Sequence, residues 1–164
     1  MLDTCADVMR QFADLFAHLM GRNIVRPVLD FTVCAKAVGK GRPRLTTRGG
    51  YVHAYTPAKT REFENLVGWS AKRAMCQCLP IASGCPLFVQ ITVSLVPPLS
   101  WSQKRRSDVF GAFCPKKPDV DNGAKAILDA MNGIVYEDDA QVAGLIVQKF
   151  YAEKDEINIK VFSV

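Results

Sequence analysis

The sequence has 164 residues, 49% of them hydrophobic, and carries 21 lysine and arginine residues against 16 aspartate and glutamate residues. That length fits one domain with its own core, and the apolar content argues against a disordered chain. The 11 glycine and 9 proline residues are scattered, which excludes collagen-like and low-complexity classes. No apolar run approaches the roughly 20 residues of a membrane-spanning helix, so no membrane partner is expected.

The first residues and the cysteines indicate a compartment. The start MLDTCADVMR contains two aspartates and lacks the basic region that opens a signal peptide. We therefore expect a cytoplasmic protein whose six cysteines are free thiols. The closely spaced Cys76, Cys78 and Cys85 lack both the spacing of a zinc knuckle and a fourth ligand, so zinc is not expected.

Hydrophobic periodicity predicts three helices and five strands. The helices are expected at residues 3–20, at 56–77 with Pro57 in the first turn, and at 121–132. The strands are expected at residues 26–36, 51–55, 86–96, 141–152 and 157–164. The last two are expected to be antiparallel across a turn at 153–156. This order contains few parallel βαβ units, so it favours a single α+β domain with a mixed sheet.

Two of the connections are predicted to be basic loops. Residues 39–50 (GKGRPRLTTRGG) are punctuated by glycine and proline. Residues 97–118 form a loop longer than most in compact domains, a length that indicates function or disorder. Trp101 in this loop is expected to pack against the domain, with stacking on a nucleobase as the alternative.

Charge is segregated along the sequence. Residues 36–48 hold five basic residues and no acid, and residues 101–117 hold five basic residues against Asp108 alone. Residues 118–139 reverse the sign, with six acids against Lys125. Carboxylates alone would repel phosphates, so the pattern favours a polyanion held by the basic segments and a divalent cation held by the acids. Two solvated loops and a charged helix face are the alternative.

The acidic segment concentrates its residues at the start of the third predicted helix. Pro118 disfavours helical geometry at Lys117, so Asp119 and Asp121 should share one face of an extended segment, and Asp121 could cap the helix. Lys125 lies one turn further along the same helix face. A helix of about eleven residues spans only ~17 Å, so the chain could return Asp138 or Asp139 to the first pair.

Three carboxylates and a lysine are the groups that metal-dependent phosphodiester hydrolysis requires. A D-x-D spacing alone is a weak signal, so a helix cap, a turn residue and a solvated turn at Asp138 and Asp139 remain the alternative. Asp129 lies four residues after Lys125 and is expected to form a surface ion pair with it.

The run DVDNGAKAILDAMNGIVYEDDAQV, residues 119–142, resembles the core motif of the RusA family of Holliday-junction resolvases, with its D-x-D-N-x-x-K and D-D-x-Q-V elements. GKGRPR, YTPAKTREFE and the basic loop before KKPDVDN extend the resemblance over residues 27–164, as in phage and prophage members. Met131 stands where leucine is commoner, and the predicted first helix has no obvious counterpart. We therefore expect a helical extension at residues 1–23 and an endonuclease domain at 24–164.

The resemblance implies an endodeoxyribonuclease that acts as a homodimer, uses Mg²⁺ or Mn²⁺, and nicks two opposed strands of a four-way DNA junction. It implies that Asp119, Asp121 and Asp139 are catalytic acids that hold metal, with Asp138 as a further candidate ligand and Lys125 as the catalytic lysine. The candidates for gripping the DNA arms are Lys40, Arg42, Arg44, Arg48, Lys104, Arg105, Arg106, Lys116 and Lys117.

Two other functions remain open. A non-catalytic module that binds branched DNA could keep the fold as a scaffold, although it would gain nothing from carboxylates beside phosphates. A nucleotidyl- or phosphotransferase would need a glycine-rich nucleotide cradle, and GKGRPR lacks the spacing of a P-loop, so no nucleotide cofactor is expected.

Symmetric cutting needs two sites related by a two-fold axis, which a homodimer supplies. The 3–20 helix could widen that interface or pack on its own domain.

Overall fold

A computed structural model of the chain describes residues 26–48 and 51–163. The helix predicted at residues 3–20 lies outside these residues. The side chain of Arg48, one of the predicted DNA-gripping residues, lies outside them as well, as does that of His53.

The described residues form six strands, three α-helices and a short 3-10 helix. The strands are β1 (Leu29–Val33), β2 (Arg44–Arg48), β3 (Tyr51–Tyr55), β4 (Leu87–Leu95), β5 (Val142–Tyr151) and β6 (Glu156–Ser163). The α-helices are α1 (Ala58–Ala74), α2 (Gln103–Asp108) and α3 (Val120–Met131), and the 3-10 helix is Asp139–Gln141.

Four of the strands form one mixed sheet in the order β1-β6-β4-β5. β6 is antiparallel to both of its neighbours, and β5 is parallel to β4. The prediction of an α+β domain with a mixed sheet is therefore confirmed. The two closing strands do run in opposite directions, but they are not neighbours, because β4 lies between them. β4 lies between β6 and β5 in the sheet, and most of its residues are buried.

The core lies between one face of this sheet and helices α1 and α3. Alternate residues of the central strands point into it, and both helices contribute an apolar stripe. Its members include Leu87, Val89, Ile91, Ile157, Ile159, Phe63, Val67, Ala71, Ala124, Ile127 and Met131. The two helices approach closely at Gly68, where a Cβ atom would lie 3.2 Å from the Ala130 carbonyl oxygen.

Two predicted loops contain regular structure. Residues 44–48 form β2, which pairs with β3 in an antiparallel hairpin, from Arg44 opposite Tyr55 to Arg48 opposite Tyr51. The long loop before α3 includes α2. Its N-cap residue is Ser102, whose hydroxyl accepts a hydrogen bond from the Arg105 backbone N–H. Trp101 packs as expected, with its ring centroid 5.8 Å from that of Tyr151.

Five of the six cysteines lie among the described residues. Cys34, Cys76, Cys78, Cys85 and Cys114 are free thiols. Within residues 26–48 and 51–163, no helix is both long and apolar enough to span a membrane.

Candidate active site and nucleic-acid interface

The first acidic pair lies at the start of α3. Asp119, not Asp121, is the N-cap residue: its backbone is extended, and its carbonyl accepts the first helical hydrogen bond from Gly123. Asp121 occupies the first turn. Both carboxylates are exposed, and neither takes part in an ion pair with another described residue. The pair is therefore available to an incoming ligand.

Lys125 lies one turn after Asp121 and is also exposed, as predicted for a free edge of the helix. The expected ion pair between Lys125 and Asp129 does not form. Asp129 instead accepts from the ammonium group of Lys40, at 2.6 Å. Asp129 is therefore engaged by a lysine of the basic loop, and Lys125 stays accessible.

Lys149 holds the segment that leads into the acidic pair. Its ammonium nitrogen lies 2.6 Å from the carbonyl oxygens of both Lys116 and Pro118. Lys149 belongs to β5, so this contact ties the loop before Asp119 to the sheet. Sequence reasoning assigned Lys149 only to a strand. A single lysine in the otherwise uncharged strand VAGLIVQKFY was the available signal.

A groove of about 500 Å³ lies beside Asp119. The loop after β1 forms one wall, and the start of α3 forms the other, with Lys36, Lys117 and Asn122 among the lining residues. The loop approaches closely because Gly39 has no side chain: a Cβ atom there would lie 3.3 Å from the Asn122 Cβ. The groove therefore presents lysines next to the carboxylate that would hold a cation.

Lys40 was predicted to grip DNA, but its ammonium group is held by two carboxylates. It lies 2.5 Å from Glu64 on α1 and 2.6 Å from Asp129 on α3. Burial lowers the pKa of Lys40, but the hydrogen bonds and charges of Asp129 and Glu64 raise it by more, so the net shift is upward. The loop is therefore fastened to both helices by this lysine, which is less available to phosphates than its exposed neighbours.

The second acidic pair lies at the start of the 3-10 helix before β5, with Asp138 as its N-cap residue. The carboxylate of Asp138 accepts a hydrogen bond from the Ala140 N–H at 2.8 Å, and Asp139 begins the helix. The side chain of Gln141 completes a capping box by accepting from the Asp138 N–H at 3.1 Å. The carboxylates of both aspartates are exposed.

Gln141 is the buried centre of this turn. Its amide oxygen also accepts from the Glu137 N–H, and its amide nitrogen donates to the carbonyl of Ala82 at 2.8 Å. Glu137 receives hydrogen bonds from the hydroxyl and the N–H of Ser83, which lower the pKa of its carboxyl. The glutamine of the D-D-x-Q-V element therefore joins the turn to the carbonyl groups of residues 81–85 and fixes the backbone that carries the two aspartates.

The two acidic pairs are not brought together within one chain. Residues 111–114 run beside the end of β5, where the Cys114 N–H donates to the Lys149 carbonyl, and they lead directly to Asp119. Asp139, in contrast, precedes the first residue of β5. About seven strand residues lie between the start of β5, beside Asp139, and Lys149, beside the segment that leads to Asp119. They span roughly 23 Å. Accordingly, the described residues contain no group of three or more histidine, cysteine, aspartate or glutamate side chains placed to hold a metal ion.

This separation corrects the expectation that the chain returns Asp138 or Asp139 to the first pair. α3 has twelve residues and runs back along the sheet, and the following turn then leads into β5 without reversing that displacement. Tyr136, three residues before Asp139, lies near the C-terminal end of α3, because its hydroxyl donates a hydrogen bond to the Leu128 carbonyl. Burial raises the pKa of Tyr136, and the charges of Asp139 and Asp129 add to this shift.

The remaining predicted DNA-binding residues differ in availability. Five of them are exposed with no ion pair among the described residues: Arg42, Arg44, Lys104, Lys116 and Lys117. Arg105 is exposed but lies over the ring of Trp101, 4.1 Å from its centroid. Arg106 is half-buried, and its Nε atom has no hydrogen-bond partner among the described residues. The exposed cations lie on two segments. Residues 101–117 lead directly to Asp119, and the loop before Arg42 lines the groove beside it at residues 36–40.

Comparison with known proteins identifies the family. The family model described as endodeoxyribonuclease RusA matches residues 35–162. The chain belongs to the RusA endodeoxyribonuclease family. It is also 34% identical over 138 residues to a protein of Bacillus subtilis (strain 168) named "Uncharacterized protein YqaN", covering 83% of this chain and 96% of the relative. Membership of the RusA family supports nuclease activity. The residues that the family model matches include both acidic pairs and Lys125.

The donor set of the first pair fits the divalent cation that the RusA family implies. Mg²⁺ prefers oxygen ligands, keeps several waters and is commonly held by one or two carboxylates together with substrate phosphates. Asp119 and Asp121 offer two exposed carboxylates beside a basic groove, which is that arrangement. The first pair of one chain is thus suited to a cation whose other ligands are waters and substrate phosphates.

Proposed function

We propose that this RusA-family protein is a Mg²⁺-dependent endonuclease that resolves four-way DNA junctions by paired nicks. The observation that carries the proposal is the pair of exposed carboxylates, Asp119 and Asp121, at the edge of a lysine-lined groove. Acids in such surroundings would oppose DNA binding unless a cation lay between them and the phosphates. A module that only binds DNA would have no use for them.

Asp119 and Asp121 would hold the cation, and Mn²⁺ would serve in place of Mg²⁺. When bound, such an ion lowers the pKa of water and stabilises negative charge on phosphoryl oxygens. Asp119 lines the groove as the N-cap residue of α3, and Asp121 follows it in the first turn. Lys125 would approach the scissile phosphate from the next turn and stabilise the charge that develops on it.

The second acidic pair fits this function in a homodimer. Within one chain Asp139 lies at the other end of β5, too far from Asp119 to share an ion. We therefore propose that the third carboxylate of each site is Asp139 of the partner subunit, with Asp138 beside it. A two-fold axis would then create two equivalent composite sites, as two opposed cuts require.

The exposed cations would hold the arms of the junction. Arg42 and Arg44 lie on the segment that precedes α1, and Lys104, Lys116 and Lys117 lie on the segment that precedes α3. Each would contact phosphate and add affinity without sequence preference. One segment leads directly to the acidic pair and the other lines the groove beside it, so together they can position a DNA backbone across the pair.

The test uses purified protein, a four-way junction with a mobile core and a linear duplex of the same sequence. With Mg²⁺ or Mn²⁺ we expect symmetric nicks on the junction, and none with EDTA or on the duplex. Asp121→Asn should abolish cutting and retain junction binding, whereas Asp30→Asn, on β1 away from the site, should cut normally. Junction binding without cutting in either metal would instead favour the non-catalytic module.

A further inference from the structure

The hairpin formed by β2 and β3 exposes large side chains on both of its faces. Tyr51 is 75% exposed, Leu45 72%, Val52 66% and Tyr55 47%. No hairpin residue belongs to the hydrophobic core that the described residues form. The hairpin therefore projects from the domain.

The pairing register sorts these residues into two faces. Arg44 pairs with Tyr55, and Leu45 pairs with Ala54. Directly paired residues share a face and successive residues alternate, so Arg44, Tyr51 and Tyr55 lie on one face. Leu45, Val52 and Ala54 lie on the other. One face thus combines a guanidinium group with two aromatic rings, and the opposite face is apolar.

The base of the hairpin is anchored beside the acidic pair. The loop before β2 is fixed by the Lys40 N–H, which donates to the Asn122 carbonyl at 2.9 Å. Gly41 then donates its N–H to the Thr60 hydroxyl at 3.2 Å, near the start of α1. A Cβ atom at Gly41 would lie 2.8 Å from that hydroxyl oxygen, so the approach requires glycine. The hairpin consequently extends from the same region of the domain as Asp119.

The charge of this region selects a partner. Residues 36–55 contain five lysine and arginine residues and no aspartate or glutamate. Arg42 and Arg44 are exposed, so the hairpin carries uncompensated positive charge along with its tyrosines. Exposed aromatic rings interleaved with arginine are suited to nucleic acid, in which bases offer stacking faces and phosphates accept from guanidinium groups.

We propose that the hairpin enters the branch point of the junction, where Tyr51 stacks on a base that has lost its stacking neighbour and Arg44 contacts the adjacent phosphate. This inference rests on the proposed junction-cutting function. In a continuous duplex the base faces are covered by their neighbours, and a ring can stack only where the strands part. The tyrosine face therefore provides the preference for branched over linear DNA, while the arginines add affinity for both.

The experiment compares the unaltered protein with three variants, Tyr51→Ala, Tyr51→Phe and Leu45→Ser. Affinities for a four-way junction and a linear duplex are measured without divalent cations, and a 2-aminopurine base at the branch point reports stacking. Loss of one base–aromatic stack should weaken junction binding by about 10-fold. Tyr51→Ala should show this loss with unchanged duplex binding and a diminished fluorescence change. Tyr51→Phe retains the ring and Leu45→Ser alters the opposite face, so both should keep the junction preference.

Several results would overturn the inference. One is a junction-to-duplex affinity ratio that Tyr51→Ala leaves unchanged. Another is a shift from dimer to monomer in Leu45→Ser, which would place the hairpin between subunits. If the unaltered protein shows no preference for junctions, the proposed function itself fails. A preference that the unaltered protein shows and Tyr51→Ala retains rejects only the role of the hairpin.

Discussion

Lys149 and Pro118 are joined by a hydrogen bond of 2.6 Å from the lysine ammonium group to the proline carbonyl oxygen. The same ammonium group is equally close to the Lys116 carbonyl, so two peptide groups before Asp119 are held to strand β5. The lysine thus acts on the acidic pair without touching it. Its role would be to hold the backbone so that both carboxylates keep one orientation when a cation binds.

Replacing Lys149 by methionine should weaken metal use more than it weakens the fold. The aliphatic part of the side chain remains, but the two carbonyl contacts are lost, and loss of such supporting contacts typically weakens metal affinity by 10-fold or more. We expect the Mg²⁺ concentration for half-maximal junction cutting to rise about 10-fold. Lys149→Arg should restore part of the effect.

The control for this prediction is Lys160→Met on β6, whose ammonium group lies 3.8 Å from Asp30 in an exposed pair. This variant should leave the Mg²⁺ requirement unchanged. Thermal unfolding of both variants separates positioning from stability. A Lys149→Met protein that cuts at the normal Mg²⁺ concentration would show that the contact is only structural.

Lys40 and Arg42 are two residues apart but should behave differently. Lys40 holds Glu64 and Asp129, so Lys40→Met leaves two half-buried carboxylates without their cation and should lower the free energy of unfolding by about 2 kcal/mol. Arg42 is exposed, so Arg42→Ala should leave stability unchanged. Arg42→Ala should instead reduce the slope of log affinity against log salt by about 1, because one phosphate contact is lost.

Chemical denaturation and DNA titrations at several salt concentrations would measure both effects. A large change of salt slope in Lys40→Met, with normal stability, would contradict this assignment. It would return Lys40 to the DNA-binding residues that the sequence suggested.

The raised pKa of Lys40 predicts a pH dependence of stability. A group whose pKa is higher in the folded state stabilises that state below its unfolded value, here its ordinary 10.5, and loses the effect as pH rises through the folded value. The stability difference between the unaltered protein and Lys40→Met should therefore be constant near neutral pH. It should shrink above about pH 10.5. Urea denaturation at a series of pH values tests this, and a difference that shrinks below pH 9 would contradict it.

Sequence reasoning succeeded for features that depend on local pattern. β4 and α3 were located to within two residues, because each has a continuous apolar pattern with clear ends. The free edge with Asp121 and Lys125 also follows from helical spacing alone. The last two strands run in opposite directions as predicted, but they are not neighbours, because adjacency in sequence does not determine strand order and β4 lies between them.

Long-range contacts account for the other misses at the candidate site. Lys149 lies 31 residues from Pro118, and Gln141 lies 60 residues from Ile81, so neither contact leaves a local signal. The separation of Asp139 from Asp119 depends on the direction in which α3 and β5 run relative to each other. Spacing along the chain limits that distance but does not determine it.

Two buried glutamines should respond in opposite ways to replacement by leucine. Gln141 is 9% exposed and its amide bonds to backbone groups on two segments, so Gln141→Leu should cost about 3 kcal/mol of unfolding free energy. Gln148 is 5% exposed, and neither of its amide atoms has a partner among the described residues, so Gln148→Leu should be neutral or stabilising. Denaturation curves of the two variants give the comparison. Equal destabilisation would mean that side-chain size, not hydrogen bonding, determines both results.

The composite site predicts that two inactive variants restore each other. Asp119→Asn and Asp139→Asn should each form an inactive homodimer. In a mixed dimer, one site would combine both substitutions, and the other would combine an intact Asp119 with an intact Asp139 of the partner subunit. We therefore expect the mixture, after subunit exchange, to recover nicking at one of the two strands of a junction.

If both carboxylates came from the same chain, each site of the mixed dimer would contain one substitution, and the mixture would stay inactive. Mixing Asp119→Asn with Asp121→Asn is the matched control, because both residues lie at the start of α3 and should not restore each other in either arrangement. Size measurements should confirm that subunits exchange, and a denaturing gel resolves single from paired nicks. Recovery in the first mixture but not in the control would place Asp139 across the dimer axis, whereas its absence after verified exchange would reject the composite site.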